Sequence, residues 1–201
     1  QAMRTDLQRL GMNEETMKKW MKAVAAPYGL ILVTGPTGSG KTSTLYASLH
    51  QLDSKVRNIV TVEDPIEYEF DRNVTQVQVN DRVGFPRVMR SFLRQDPDVM
   101  MVGEMRDPES LAIGIQAGLT GHLVLSTLHT NSALETVSRM VDMGSERYLI
   151  AGVTVAILAQ RLVRLNCPKC RKAYRPTPDE LESLGIDEAM LAKATFAKGE
   201  G

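Results

Sequence analysis

Eight consecutive residues, Gly35-Pro-Thr-Gly-Ser-Gly-Lys-Thr42, match the spacing G-x-x-x-x-G-K-T. That spacing suits phosphate chemistry. Glycines let backbone N–H groups wrap an anion, a helix N-terminus adds partial positive charge, a lysine reaches the β and γ oxygens, and the threonine hydroxyl is a ligand for Mg²⁺. The expected nucleotide-binding residues are therefore Gly35, Pro36, Thr37, Gly38, Ser39, Gly40, Lys41 and Thr42, with Ser43 in the turn that follows. Cleaving a phosphoanhydride beside such a loop also calls for a carboxylate at the C-terminal end of a neighbouring strand. Two candidates exist: Glu63, followed by Asp64, after Ile59-Val-Thr-Val62, and Glu104 after Val99-Met-Met-Val102 and Gly103. Spacing does not rank them.

Two histidines bracket the apolar run Leu123-Val-Leu-Ser-Thr-Leu128. If that run is a strand parallel to the one feeding the loop, His129 falls on the ligand side and could sense a γ-phosphate. His122 then falls on the far side, unless the strand starts later. A last pair, Cys167-x-x-Cys170, reads as a metal or redox pair before it reads as a structural disulfide.

Elements that could hold these groups alternate along the chain. From Asn13, a good N-cap, Met17, Trp20, Met21 and Val24 follow helical spacing until Pro27. Leu30-Ile-Leu-Val33 is a strand leading into the glycine loop, and Ser43 to Leu52 is compatible with a helix. Val56 to Val62 reads as a second buried strand. Alternation in Ile66, Tyr68 and Phe70, and again in Val77 and Val79, predicts an antiparallel hairpin around Asp71-Arg72-Asn73. Helical spacing at Val88, Met89, Phe92 and Leu93 precedes the strand Asp98 to Val102. Asp107-Pro108 opens a helix that Gly118 ends, and residues 132–143 form another, stopped by Gly144. Strands alternating with helices predict an α/β domain with a mostly parallel sheet and helices on both faces. Thr177-Pro-Asp-Glu180 fits a capping box for a short helix ending at Gly185, inside a polar tail too small for a core of its own. The expected division is 1–28 as the end of an upstream part with a linker helix, 29–166 as the α/β domain, and 167–201 as a small Cys-containing appendage.

Composition narrows the class. The chain has 201 residues, 43% hydrophobic and 24% charged, which excludes collagen-like, disordered and disulfide-dense proteins. Twenty-four basic residues against twenty-four acidic ones leave no net charge, so nucleic acid is not an expected partner. The most apolar stretch, Tyr148 to Ala159, is only 12 residues where a membrane span needs ~20. With no signal-peptide pattern at the start, the expected compartment is the cytoplasm. Gln1 in place of Met and the abrupt end at Gly201 read as an excised part of a longer chain.

Five segments in the same order, Gly35–Thr42, Val62-Glu-Asp-Pro-Ile-Glu67, Leu93-Arg-Gln-Asp-Pro-Asp98, Val102-Gly-Glu-Met-Arg-Asp107 and Leu119-Thr-Gly-His to His129-Thr-Asn131, resemble the secretion ATPase family of type II secretion and type IV pilus assembly. The resemblance covers about residues 8–170. It implies a RecA-like P-loop NTPase that hydrolyses ATP with Mg²⁺ and couples it to domain rotation in a hexameric ring. By the same resemblance Gly35–Thr42 is Walker A, Glu63 the acidic residue of an aspartate box near Mg²⁺, and Glu104 the water-polarising residue of an atypical Walker B. His122 and His129 are the histidine box, and Arg90, Arg94 and Arg106 could reach phosphate from this chain or a neighbour. Cys167-Pro-Lys-Cys170 looks like the first half of a tetracysteine zinc motif whose second half does not follow before Gly201, leaving half of a four-ligand site. The implied partners are further copies of the chain and a platform protein of the inner membrane, with peripheral attachment there. Competing readings from the residues are a P-loop kinase, a nucleic-acid translocase of the same fold and a non-catalytic assembly module.

Overall fold

Four short runs, Leu30-Ile-Leu-Val33, Ile59-Val-Thr-Val62, Val99-Met-Met-Val102 and Leu123-Val-Leu125, are apolar at alternate positions on both sides. Strands of that kind need cover on both faces. In the computed structural model, which describes residues 7–52, 54–70, 73–183, 185, 191 and 194–199, they get it. The strands are β1 (Gly29–Thr34), β2 (Ile59–Glu63), β3 (Val74–Gln78), β4 (Val99–Val102), β5 (Leu123–Leu128) and β6 (Thr154–Ala159). They form one sheet in the order β3-β2-β4-β5-β1-β6, and every neighbouring pair is parallel.

Alternation sorts the strand residues into two cores. Leu30, Leu32, Val60, Val62, Met100, Val102 and Val124 join α3 (Phe85–Phe92), α4 (Pro108–Leu119), α5 (Ala133–Asp142) and α6 (Arg147–Val153) on one face. Ile31, Val33, Ile59, Met101, Leu123 and Leu125 meet α1 (Glu14–Val24) and α2 (Lys41–Leu49) on the other. The lead-in segment thus packs on the sheet, with Trp20 buried and its indole N–H donating to Ser48 Oγ at 3.0 Å. Three helices start where the sequence offers a cap: Asn13, Asp107 and Ser132 accept the N–H of Thr16, Ser110 and Glu135 at 2.8, 2.8 and 3.1 Å. Each such cap is worth about 1 kcal/mol. No described helix is long and apolar enough to cross a membrane.

The predicted hairpin is not formed. Val74–Gln78 pairs in parallel with β2, from Ile59 opposite Val74 to Glu63 opposite Gln78, and residues 66–70 make no strand. Their N–H groups are taken instead by side chains of β3: Ile66 donates to Gln78 Oε1 at 3.2 Å and Phe70 to Gln76 Oε1 at 2.8 Å. The alternation that suggested a hairpin belongs to a half-exposed edge strand. Of the expected turn, Asp71 and Arg72 lie outside the described residues. The stretch Tyr148 to Ala159 also divides, α6 ending at Val153 and β6 continuing from Thr154.

The chain splits into two compact units, Gln1–Leu162 and Val163–Gly201. In the second, β7 (Arg171–Ala173) pairs antiparallel with β8 (Ala197–Gly199), and α7 (Pro178–Ser183) follows the capping box. Thr177 N–H donates to Glu180 Oε2 at 2.8 Å and Thr177 Oγ1 accepts from Glu180 N–H at 3.3 Å.

Helix α4 approaches β1 where a side chain would not fit. A Cβ on Gly118 would stand 2.4 Å from Val153 Cγ2 and 3.1 Å from the Gly29 carbonyl carbon. Gly118→Ala is expected to lower stability by about 1–3 kcal/mol through overpacking. Gly152 in α6 is exposed, and its Cβ would meet nothing nearer than Leu119 Cδ2 at 3.9 Å. There the same change should stabilise by about 0.5–1 kcal/mol through helix propensity. Urea midpoints of the two variants check both signs, and a Gly118→Ala chain as stable as the parent would contradict this packing.

Candidate active site

Because every pair in the sheet is parallel, all six strands end on the same edge, where ligands of open α/β sheets bind. The chain leaves β1 there through Gly35–Gly40 and turns into α2. Gly35, Gly38 and Gly40 have φ of 146°, 76° and 83°, the region that only glycine enters freely. Gly40 is the N-cap of α2 and supplies no side chain to its first turn, so a ligand can use the helix's free N–H groups. Lys41, at 8% exposure, folds back on the loop: Nζ donates to the carbonyls of Gly35 and Pro36, each at 3.0 Å. Burial pushes the Lys41 pKa down, partly opposed by the charge of Glu104. The buried Ser39 hydroxyl has no hydrogen-bond partner in the structure.

Both candidate carboxylates reach this edge, in different settings. Glu63 ends β2 at 2% exposure, held by three donors. Tyr46 OH donates to Oε2 at 2.5 Å, while Thr61 Oγ1 and Gln76 Nε2 donate to Oε1 at 2.6 and 3.2 Å. Burial and the neighbouring Glu63 push the Tyr46 phenol well above its ordinary pKa, so it stays a donor. Glu104, just past β4, has other neighbours: the Arg106 guanidinium pairs with Oε1, and His129 Nε2 lies 3.3 Å from Oε2. His129 stands at the end of β5, which lies between β4 and β1 and so sets it between Glu104 and the glycine loop. Its loop is tied to β1 by hydroxyls. Thr34 Oγ1 donates to the Thr130 carbonyl at 2.7 Å, and Thr130 Oγ1 lies 2.6 Å from Thr136 Oγ1.

Thr37, Lys41, Thr42, Glu63, Glu104 and His129 line one cavity of about 340 Å³, with Arg106 and Gly38 at its wall. Thr42 and the two carboxylates present oxygen donors, the set that Mg²⁺ prefers when phosphate oxygens complete its shell. Ser43, one residue further into α2, is outside the lining. His122 is not brought here. It precedes β5, roughly 20 Å of strand from His129 at ~3.3 Å per residue, and its Nδ1 lies 3.0 Å from the Ala117 carbonyl. Arg94 is also elsewhere, exposed at the end of α3 and donating to the Arg90 carbonyl at 3.1 Å, while Arg90 pairs with Glu109 at 2.5 Å. Cys167 and Cys170 share one turn of the second unit, the Cys170 N–H donating to the Cys167 carbonyl at 3.3 Å. Hydrogen bonds from the backbone of Lys169 and Cys170 lower the Cys167 pKa. Among the described residues no three His, Cys, Asp or Glu side chains form a metal-binding group.

The sequence reading missed the residues that hold Glu63: Tyr46, Thr61 and Gln76. Thr61, two residues from Glu63 on one strand face, was within reach of an alternation argument. Tyr46 and Gln76 come from other elements and left no local signal.

The family described as "Type II/IV secretion system protein" matches residues 1–199. The chain is 54% identical over its whole length to type II secretion system protein E of Pseudomonas aeruginosa, and 53% identical over 96% of its length to type II secretion system ATPase E of Vibrio cholerae. It spans 40% and 39% of those proteins. Among solved structures, the pilus retraction motor PilT with bound ADP is 38% identical with a TM-score of 0.72, over 79% of this chain and 48% of that one. The VirB11 ATPase of the Brucella suis type IV secretion system is 25% identical with a TM-score of 0.61, over 74% of this chain and 47% of that one. The sheet and its glycine loop are thus of the RecA-like P-loop kind, and the chain belongs to the type II/IV secretion system protein family.

Proposed function

We propose that this chain is the ATP-hydrolysing domain of a motor for type II secretion or type IV pilus assembly. One observation carries the reading: Lys41 and Thr42 from the first turn of α2, and Glu63, Glu104 and His129 from the ends of β2, β4 and β5, line a single cavity. In it the Gly35–Gly40 backbone and Lys41 hold the β- and γ-phosphates, and Glu104 orients and deprotonates the water that attacks the γ-phosphorus in line. Arg106 occupies Glu104 Oε1, which leaves Oε2, with only its long contact to His129, to face that water. Glu63 has both oxygens taken by neutral donors and serves as a fixed negative charge, not a base. Thr42 would hold Mg²⁺ with Glu63 close by, and the ion when bound would neutralise charge at the phosphate oxygens. Resemblance to the motors named above supports the wider picture: a hexameric ring whose ATP turnover drives domain rotation, cytoplasmic and docked on an inner-membrane platform protein. In such a ring the exposed Arg94 acts in a neighbour's site. Cys167 and Cys170 would be two of four zinc ligands.

Lys41→Ala is expected to abolish binding of a fluorescent ADP analogue while leaving the thermal midpoint within a few degrees, since the ammonium's partners are loop carbonyls. Glu104→Gln should keep nucleotide bound and lose about 10²-fold or more in turnover. Trapping by Glu63→Gln with full activity in Glu104→Gln would exchange the two roles.

A lysine with a depressed pKa loses its charge earlier as pH rises, and phosphate binding needs that charge. ADP affinity should therefore begin to fall at a pH below the ordinary lysine value of 10.5. Lys41→Arg should flatten that fall, because guanidinium stays charged. An ADP titration from pH 7 to 10.5 on both chains reads the difference. Zinc, with two thiolates on offer, should bind weakly and at less than one ion per chain by equilibrium dialysis; tight one-to-one zinc in a monomer would reveal unrecognised ligands.

A further inference from the structure

Edge strand β6 ends at Ala159, and the next residue reaches across to the phosphate loop. Gln160 N–H donates to the carbonyl of Thr34, the last residue of β1, at 2.8 Å. Its side chain then makes two bonds in opposite senses. Nε2 donates to the Ser39 carbonyl at 2.7 Å, and Oε1 accepts from Thr44 Oγ1 at 2.6 Å. A carbonyl can only accept, so the amide orientation is fixed by its partners. One side chain thus joins the loop to the first turn of α2 from behind. It also explains two bare positions. A Cβ on Gly40 would lie 2.9 Å from Gln160 Nε2, and one on Gly35 would lie 2.3 Å from the Gln160 carbonyl oxygen.

The consequence follows from peptide geometry. The Ser39–Gly40 bond is trans, so its carbonyl and the Gly40 N–H lie in one plane and point in opposite directions. Holding that carbonyl against Gln160 turns the Gly40 N–H the other way. We infer that Gln160 is a positioning residue of the phosphate loop, fixing the Ser39–Gly40 peptide so that the Gly40 N–H faces the nucleotide's phosphate. The inference rests on the nucleotide reading of this cavity and adds a residue that does not touch the nucleotide.

Two near-isosteric variants of the full chain test it by ADP affinity. Gln160→Met removes both bonds. Gln160→Glu keeps an acceptor for Thr44 but at pH 8 sets a carboxylate against the Ser39 carbonyl. Both should raise the ADP Kd about tenfold or more, the loss of one aligned bond to a charged ligand. The variants part company at low pH: a carboxylate set against the Ser39 carbonyl takes up its proton above the ordinary glutamate value of about 4.3, so as the pH falls toward 4.5 the glutamic acid regains an O–H donor. The ratio of the Gln160→Glu Kd to the wild-type Kd should therefore contract toward one, while the Gln160→Met ratio stays put. A purely structural residue would give ratios that do not respond to pH. In the wild-type chain, ADP should shift the Gly40 amide resonance, a readout that needs no variant to fold. Wild type that binds no ADP would overturn the nucleotide reading itself. Wild type that binds while both folded variants bind equally well, or a Gly40 amide that ignores ADP, would overturn the role of Gln160 and leave the nucleotide site standing.

Discussion

A sheet buried on both faces admits polar side chains along its strands only when each is fully hydrogen-bonded, and that constraint organises the molecule. The polar residues of the four inner strands comply, while Thr154 Oγ1 at the start of edge strand β6 is buried without a partner. Ser126 Oγ donates to the Val102 carbonyl at 2.7 Å, Thr127 Oγ1 to the Gly103 carbonyl at 2.8 Å, and Thr61 Oγ1 to Glu63. Groups that must meet a ligand are displaced to the strand ends, and six parallel strands bring those ends to one edge. The site is therefore a product of topology as much as of its motifs: β5, inserted between β1 and β4, sets the distance between the loop and Glu104.

Glu63 shows what a charge near the core requires. Burying a carboxylate is costly unless its oxygens are hydrogen-bonded, and three donors from three elements satisfy this one. The donors are fixed in turn by aromatic packing. Tyr46 stacks on Phe70 with ring centroids 4.9 Å apart and meets Tyr68 edge-on at 5.6 Å. The segment 66–70, which forms no strand, thus closes over the carboxylate, with its N–H groups on Gln76 and Gln78. Glu104, at 8% exposure, pairs instead with the Arg106 guanidinium and lies near the His129 ring, a difference of environment that suits two carboxylates to two tasks.

The sequence was most legible where one residue type has one physical use. Glycines at fixed offsets before Lys-Thr gave the loop, Asn13, Asp107 and Ser132 gave helix starts, and uninterrupted aliphatic runs gave the central strands. Edge strands were the hard cases. β3 alternates as a hairpin arm would, and only the side-chain amides of Gln76 and Gln78 decide that residues 66–70 do not pair with it. β6 follows α6 without a break, so no turn residue marks its start. Spacing put both carboxylates at strand ends but was silent on their different environments, which come from Tyr46 and Gln76 on one side and Arg106 on the other. The strand reading already set His122 and His129 at opposite ends of the run 123–128, as the parallel β5 does; only the resemblance grouped them in one site.

The lysine that folds back on its own loop gives the site a threshold. Lys41 Nζ donates to two loop carbonyls at 3.0 Å, so the ammonium is not a free charge. On the nucleotide reading proposed above, an incoming phosphate competes with those carbonyls for it. A small, singly charged anion offers too little in exchange, whereas a polyphosphate brings several oxygens to the lysine and to the helix N-terminus together. On that reading, selection among anions depends on how many oxygens arrive in one rigid body, and the lysine's two carbonyl contacts set a valency that an anion has to match.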